Sequence, residues 1–270
     1  MLNRYGMTQS RRSLKQLSFQ LIERPVLNHA VAMHYTSELE RIEAEAAGAS
    51  ARPFVIPIGI DVAQFQNLPD PRVFERRWPK AANREVVLFL SRIHPKKRLE
   101  LLLDAFVELK RRRPAALLVV AGDGEANYVN GLKNQAERLG IADDIVWTGF
   151  LVGTDKLAAF STARMFVLPS HSENFGIAVV EALAAGVPTI ISSDVGVARD
   201  IEAARAGIVV EQEPARLAQA MEQLLADAGL SRQLSANARK LAAERYSLNA
   251  MGASLCQLYQ EILAARRTKT

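Results

Sequence analysis

The sequence predicts an α/β fold built on a doubly wound parallel sheet, and three observations predict it. From about residue 84 to residue 210, short apolar runs alternate with helix-length segments, the pattern of strands joined by right-handed helical crossovers. Apolar residues make up 49% of the chain, enough for a core, yet no run approaches the roughly 18 residues of a membrane span. The polar residues gather in loops at the carboxyl ends of predicted strands, where open α/β sheets hold their ligands.

Taken in order, Leu14, Leu17, Phe19, Leu21 and Ile22 are spaced for one amphipathic helix ending before Pro25. Residues 30–35 read as a short strand. Ser37 followed by Glu40 has the form of a capping box, opening a helix that ends near Gly48. Residues 54–58 read as a strand interrupted by Pro57. Residues 67–80 hold three prolines and little periodicity, so this stretch is expected to be a linker.

The regular pattern then predicts strands at 86–90, 117–121, 145–148, 165–168, 189–192 and 208–210. Helices are predicted between them at 99–111, 126–139, 154–161, 176–185 and 197–202. Three more close the chain, at 214–226, 231–244 and 248–264.

Net charge is +5, with basic residues at Arg11 and Arg12 and in the segments 96–98, 110–113 and 266–269. This balance suits anionic ligands such as nucleotide phosphates or acidic lipid head groups. No basic motif carries interleaved aromatics, so nucleic acid is not an expected partner. The single cysteine, Cys256, cannot form an internal disulfide and lies among apolar helix residues, which predicts a packed thiol in a reducing cytosol. The first residues lack the apolar core of a signal peptide. There is no Gly-x-Ser-x-Gly, no Walker sequence, no Cys/His catalytic pattern and no metal-ligand spacing.

The most informative stretch is S-H-S-E-N-F-G-I-A-V-V-E-A-L-A-A-G, residues 170–186. It follows an apolar run closed by Pro169, and Gly186 and Pro188 stop its helix. Glu173 lies in the loop and Glu181 in the helix. The N–H groups opening the helix, around Phe175, Gly176 and Ile177, form a natural anion site. Alternatively, Glu173 caps the helix and Glu181 is solvated.

The first strand of the regular region runs into L-S-R-I-H-P-K-K-R-L-E, which puts Arg92 and Lys97 at the same sheet edge. Two cations beside a helix start suit a pyrophosphate; a solvated basic turn is the alternative. Gly122 and Gly124 in A-G-D-G-E give half of a dinucleotide fingerprint without its third glycine, and they suit a plain turn equally. Trp147 and Phe150 end the third strand, where an aromatic either stacks on a base or packs in the core. Four loops, after successive strands, would thus open on one edge.

Residues from about 30 onward resemble a retaining, metal-independent glycosyltransferase of family 4, with the two-domain GT-B fold. The resemblance rests on S-R-I-H-P-K-K-R-L-E-L-L-L-D-A-F, V-V-A-G-D-G-E, V-W-T-G-F and S-H-S-E-N-F-G-I-A-V-V-E-A-L-A-A-G-V-P-T-I. I-P-I-G-I-D, residues 56–61, resembles the family's interdomain segment, with Ile58 in place of an asparagine; Arg98 stands where the family often has glycine.

The resemblance implies that residues 84–245 form the Rossmann-like donor domain and that residues 63–83 link it to residues 1–62, a remnant of the N-terminal acceptor domain. Residues 246–270 would be a helix crossing back to that front part. It further implies that Arg92 and Lys97 hold the donor diphosphate and that Glu181 binds the nucleotide ribose. Glu173 would contact the transferred sugar, with Asn174, Phe175, Gly176 and Ile177 along its hydroxyls and the phosphates.

Activity would be transfer of a sugar from a nucleotide-sugar co-substrate, with no further cofactor, to a glycan or lipid-linked acceptor. The expected setting is the cytoplasm, with attraction to the inner face of the membrane. The rest of the acceptor domain would be lost by N-terminal truncation of the gene, belong to a longer protein of which this sequence is a part, or come from a separate chain. Two other functions fit the same residues: a nucleotide-sugar-binding module without transfer, and a nucleotide-sugar epimerase of the same fold.

Overall fold

A computed structural model of the protein describes residues 17–267. The chain folds as two units, Asp61–Glu244 and the paired segments Met1–Ile60 and Arg245–Thr270.

In the second of these units the leading helix does not stop before Pro25. A π-helical turn, Phe19–Glu23, runs straight into α1 (Arg24–Asn28). Pro25 is tolerated because it falls in the first positions of α1, where its missing N–H removes no α-helical bond. Leu14, part of the expected stripe, lies outside the described residues. Phe19 is buried while Leu17, Leu21 and Ile22 are exposed.

β1 (Met33–Tyr35) and β2 (Pro53–Val55) pair in parallel around α2 (Glu38–Ala46). The Ser37 hydroxyl accepts from the Glu40 amide at 3.2 Å, as a capping box requires. The Glu40 carboxylate reaches one residue further back, to the Thr36 amide and hydroxyl at 2.7 Å each.

In Asp61–Glu244, residues 63–83 are not a linker. Phe65, Phe74 and Ala81 are buried, and the Phe74 and Trp78 rings lie 4.4 Å apart. The prolines start structure instead of breaking it: Pro71 precedes α3 (Arg72–Arg77), and Pro79 opens a 3-10 turn.

β3 (Glu85–Leu90) leads through α4 (Leu99–Arg112) to β4 (Ala116–Ala121), then through α5 (Ala126–Arg138) to β5 (Ile145–Gly149). The chain crosses back through α6 (Gly153–Thr162) to β6 (Met165–Leu168). It continues by α7 (Ile177–Ala185), β7 (Thr189–Ser192), α8 (Ala198–Ala204) and β8 (Gly207–Val210). The six strands lie in the order β5-β4-β3-β6-β7-β8, all parallel.

The central strands are buried on both faces, which is why they read as unbroken apolar runs such as V-V-L-F and L-L-V-V. α4 buries Leu99, Leu102, Leu103, Phe106 and Leu109, the stripe of a helix on a sheet face. The winding direction reverses between β3 and β6, whose pairing sets Val87 against Met165. That reversal opens the crevice where such sheets bind ligands.

α9 (Pro214–Ala226) and α10 (Ala228–Arg245) follow, then α11 (Leu248–Arg267), which belongs with the front segment. There Ile60 N–H donates to Tyr246 O at 2.8 Å, and Arg52 pairs with Glu261 at 2.8 Å. Cys256 is exposed, not packed as expected, because it falls on the outer face of α11.

Candidate active site

The loops after β3 and β6 flank the switch point. The first runs from Ser91 to Arg98 and is shaped by its own side chains: His94 Nδ1 accepts from the Lys96 amide at 3.1 Å and caps the 3-10 turn Pro95–Lys97. Arg98 then takes a left-handed conformation, φ 53°, before α4 begins. This explains why glycine suits the position; Arg98 holds it with an ion pair to Glu100 at 3.2 Å.

Three backbone links lock the β6 loop to its neighbours. His171 N donates to Lys96 O at 2.8 Å, Glu173 N to Asp194 O at 3.1 Å, and Gly196 N to Glu173 O at 2.8 Å. Gln212, after β8, donates to Asp194 Oδ2 at 2.6 Å and closes the same edge.

Lys97 is only 8% exposed, and its ammonium is ion-paired with the Glu173 carboxylate. The sequence assigned these two to different parts of a donor; the structure sets them against each other. Burial pushes the Lys97 ammonium down to about 8, with the positive charges of Arg92 and Lys96 adding to the effect. The same burial and cations lower His94.

A diphosphate held by Lys97 would bind the ammonium form and raise its pKa, so its binding above pH 8 would take up a proton. Affinity for UDP or GDP is therefore expected to be flat below about pH 8 and to fall by up to about tenfold per pH unit above it. Calorimetry between pH 7 and 9 in buffers of different ionisation enthalpy measures both the fall and the proton uptake.

Gly176 precedes α7 with φ 98°, and a Cβ there would lie 3.1 Å from Val195 Cγ1. The backbone thus turns sharply and presents the opening N–H groups of α7 at the crevice. Phe175 is 4% exposed, so its ring belongs to the core and only its backbone can meet a ligand, whereas Asn174 and Ile177 are exposed. Further along α7, Glu181 Oε1 accepts from Lys156 Nζ at 2.7 Å.

Gly122 and Gly124 turn out to be packing glycines. A Cβ on Gly122 would lie 1.9 Å from Ser91 O, and one on Gly124 would lie 2.1 Å from Ile93 O. The β4 loop runs against the β3 loop, where Ile93 N donates to Asp123 O at 2.8 Å. The absence of a side chain at both glycines is what lets the two loops pack this closely. Phe150, just after β5, is 70% exposed, while Trp147 is half-buried under Lys133. Among the described residues no group of three or more His, Cys, Asp or Glu could hold a metal ion.

Lys156 and Gln212 were not found from the sequence. Lys156 had one signal: Glu181 is the only charge on an otherwise apolar helix and needs a partner. Gln212 had none.

The family model "Glycosyl transferases group 1" matches residues 72–241. The chain belongs to the group 1 glycosyl transferases. This group 1 glycosyl transferase chain is 31% identical over 232 residues to a GDP-mannose-dependent alpha-(1-6)-phosphatidylinositol monomannoside mannosyltransferase of Mycobacterium tuberculosis; the match covers 83% of this chain and 60% of that protein. It therefore spans less than two thirds of that relative.

Among solved structures it resembles Anabaena HepE in complex with UDP and glucose, with TM-score 0.82, 22% identity, and coverage of 93% of this chain and 68% of that one. It also resembles sucrose-phosphate synthase from Thermosynechococcus elongatus, with TM-score 0.81, 24% identity, and coverage of 97% and 65%. These likenesses show the GT-B fold of the expected α/β class. No described helix is long and apolar enough to cross a membrane.

Proposed function

We propose that this group 1 glycosyl transferase binds a nucleotide-sugar at the carboxyl edge of its sheet and transfers the sugar to a glycan or lipid-linked acceptor, with retention at the anomeric carbon. The observation that carries this reading is the buried Lys97 ammonium, paired with the half-buried Glu173 carboxylate beside the opening of α7 at the switch point. A cation withdrawn from water at a ligand crevice, with helix amides alongside, is costly for stability alone and suits a polyanion.

In this reading Lys97 and Arg92 take the diphosphate, joined by the N–H groups at Gly176 and Ile177. Glu173, released from Lys97, turns to the sugar hydroxyls, and Asn174 lies alongside. Glu181 accepts from the ribose, and Phe150 stacks on the base. The bond from the anomeric carbon to the phosphate oxygen breaks as the acceptor oxygen attacks from the same face, and the acceptor proton passes to the leaving phosphate. Charge grows on that phosphate, where the two cations and the helix amides stabilise it without a metal ion.

The relative named for GDP-mannose and the neighbour solved with UDP make GDP and UDP the first nucleotides to try for binding. Calorimetry with both tests the site. Glu181→Ala is expected to weaken binding by about 1–3 kcal/mol, the cost of a hydrogen bond involving a charged group; unchanged binding would remove Glu181 from the site. A transfer assay with GDP-mannose and UDP-glucose tests the chemistry. Because the chain spans 60% of its mannosyltransferase relative, donor binding without transfer is the second reading, and binding with neither transfer nor hydrolysis would establish it.

A further inference from the structure

We infer that Lys156 is a positioning residue for the nucleotide ribose, acting through Glu181. The inference rests on the proposed role of Glu181 and adds a residue to it. α7 reads I-A-V-V-E-A-L-A-A, and Glu181 is its one charge, flanked by the buried Val180 and Ala182. A half-buried carboxylate in such surroundings needs a partner, and Lys156 supplies it from the first turn of α6, with Nζ 2.7 Å from Oε1.

The geometry has two consequences. The ammonium occupies Oε1, so Oε2 is left to accept from a hydroxyl, and the Glu181 side chain is held before any ligand arrives. Without that hold, ordering a flexible glutamate would oppose binding. Lys156 also follows closely on Phe150 and Val152, both exposed at the end of β5. It therefore ties the segment that would face the base to the carboxylate that would face the ribose. An ion pair that merely held α6 to α7 would act on stability and would not distinguish one ligand from another.

The test is competition binding of UDP, GDP, their 2′,3′-dideoxy forms and inorganic pyrophosphate to the whole chain. Lys156→Met keeps the length of the side chain and removes its charge. It is expected to weaken the ribonucleotides about tenfold, the size of one charge-assisted hydrogen bond. The dideoxy forms and pyrophosphate should stay within about twofold, and Lys156→Arg should restore ribonucleotide binding. Lys156→Gln serves as a second neutral variant if the methionine variant folds poorly by thermal melting.

Equal weakening of all ligands would overturn the inference, as would unchanged ribonucleotide binding in a chain where Glu181→Ala weakens it. Unchanged binding in Glu181→Ala itself would sink the role of Glu181, and this inference with it.

Discussion

Lys97→Ala is expected to weaken binding of UDP or GDP by about 3 kcal/mol, roughly 150-fold, by removing the buried ammonium from the diphosphate. The same change leaves the Glu173 carboxylate half-buried without its ion-pair partner. An unpaired carboxylate there costs about 2 kcal/mol of stability, less than a fully buried one because Glu173 keeps some access to water. The two effects separate in a double variant. Lys97→Met with Glu173→Gln removes both charges and the desolvation that lowers Lys97, so its stability should return to that of the unaltered chain or exceed it, while nucleotide binding stays lost. Urea denaturation and calorimetry on the three chains measure this. If the double variant binds nucleotide normally, the cation at position 97 is not the phosphate ligand.

Gly122→Ala is the second large effect. Its Cβ would fall 1.9 Å from a backbone oxygen, Ser91 O, at a residue whose φ is 147°. Neither conflict is relieved by turning a side chain; the β3 loop itself would have to move. A loss of roughly 3 kcal/mol or more is expected in urea denaturation. Because Arg92 lies between Ser91 and Ile93, both braced by the β4 loop, the variant should also bind UDP or GDP more weakly at temperatures where it is still folded. A stable Gly122→Ala chain with full binding would show that the loop contact does not position Arg92.

The sheet was legible in the sequence because its central strands are buried on both faces, leaving continuous apolar runs between helices of clear period. The helix behind the β6 loop was legible from the glycine at each end. Residues 63–83 were not, since a six-residue helix anchored by Phe74 is too short to show a period and its prolines resemble breaks. Pro25 misled in the same way, by sitting where a helix tolerates it.

The candidate site was read as a set of residue types but not as a set of partners. Which strand lies beside β3 is decided by packing, so the meeting of Lys97 with Glu173 and of Lys156 with Glu181 is invisible to local pattern. Gly122 and Gly124 have a packing cause in the structure, because another loop's backbone passes close by, and a sequence cannot tell that from the close approach of a ligand.

A structure of the chain in complex with UDP or GDP decides where the nucleotide sits. The diphosphate is expected against Lys97, Arg92 and the opening amides of α7, the ribose at Glu181, and Glu173 turned away from Lys97. A nucleotide bound elsewhere, such as in the groove beside β8 lined by Arg216 and Gln223, with the Lys97–Glu173 pair intact, would contradict this placement.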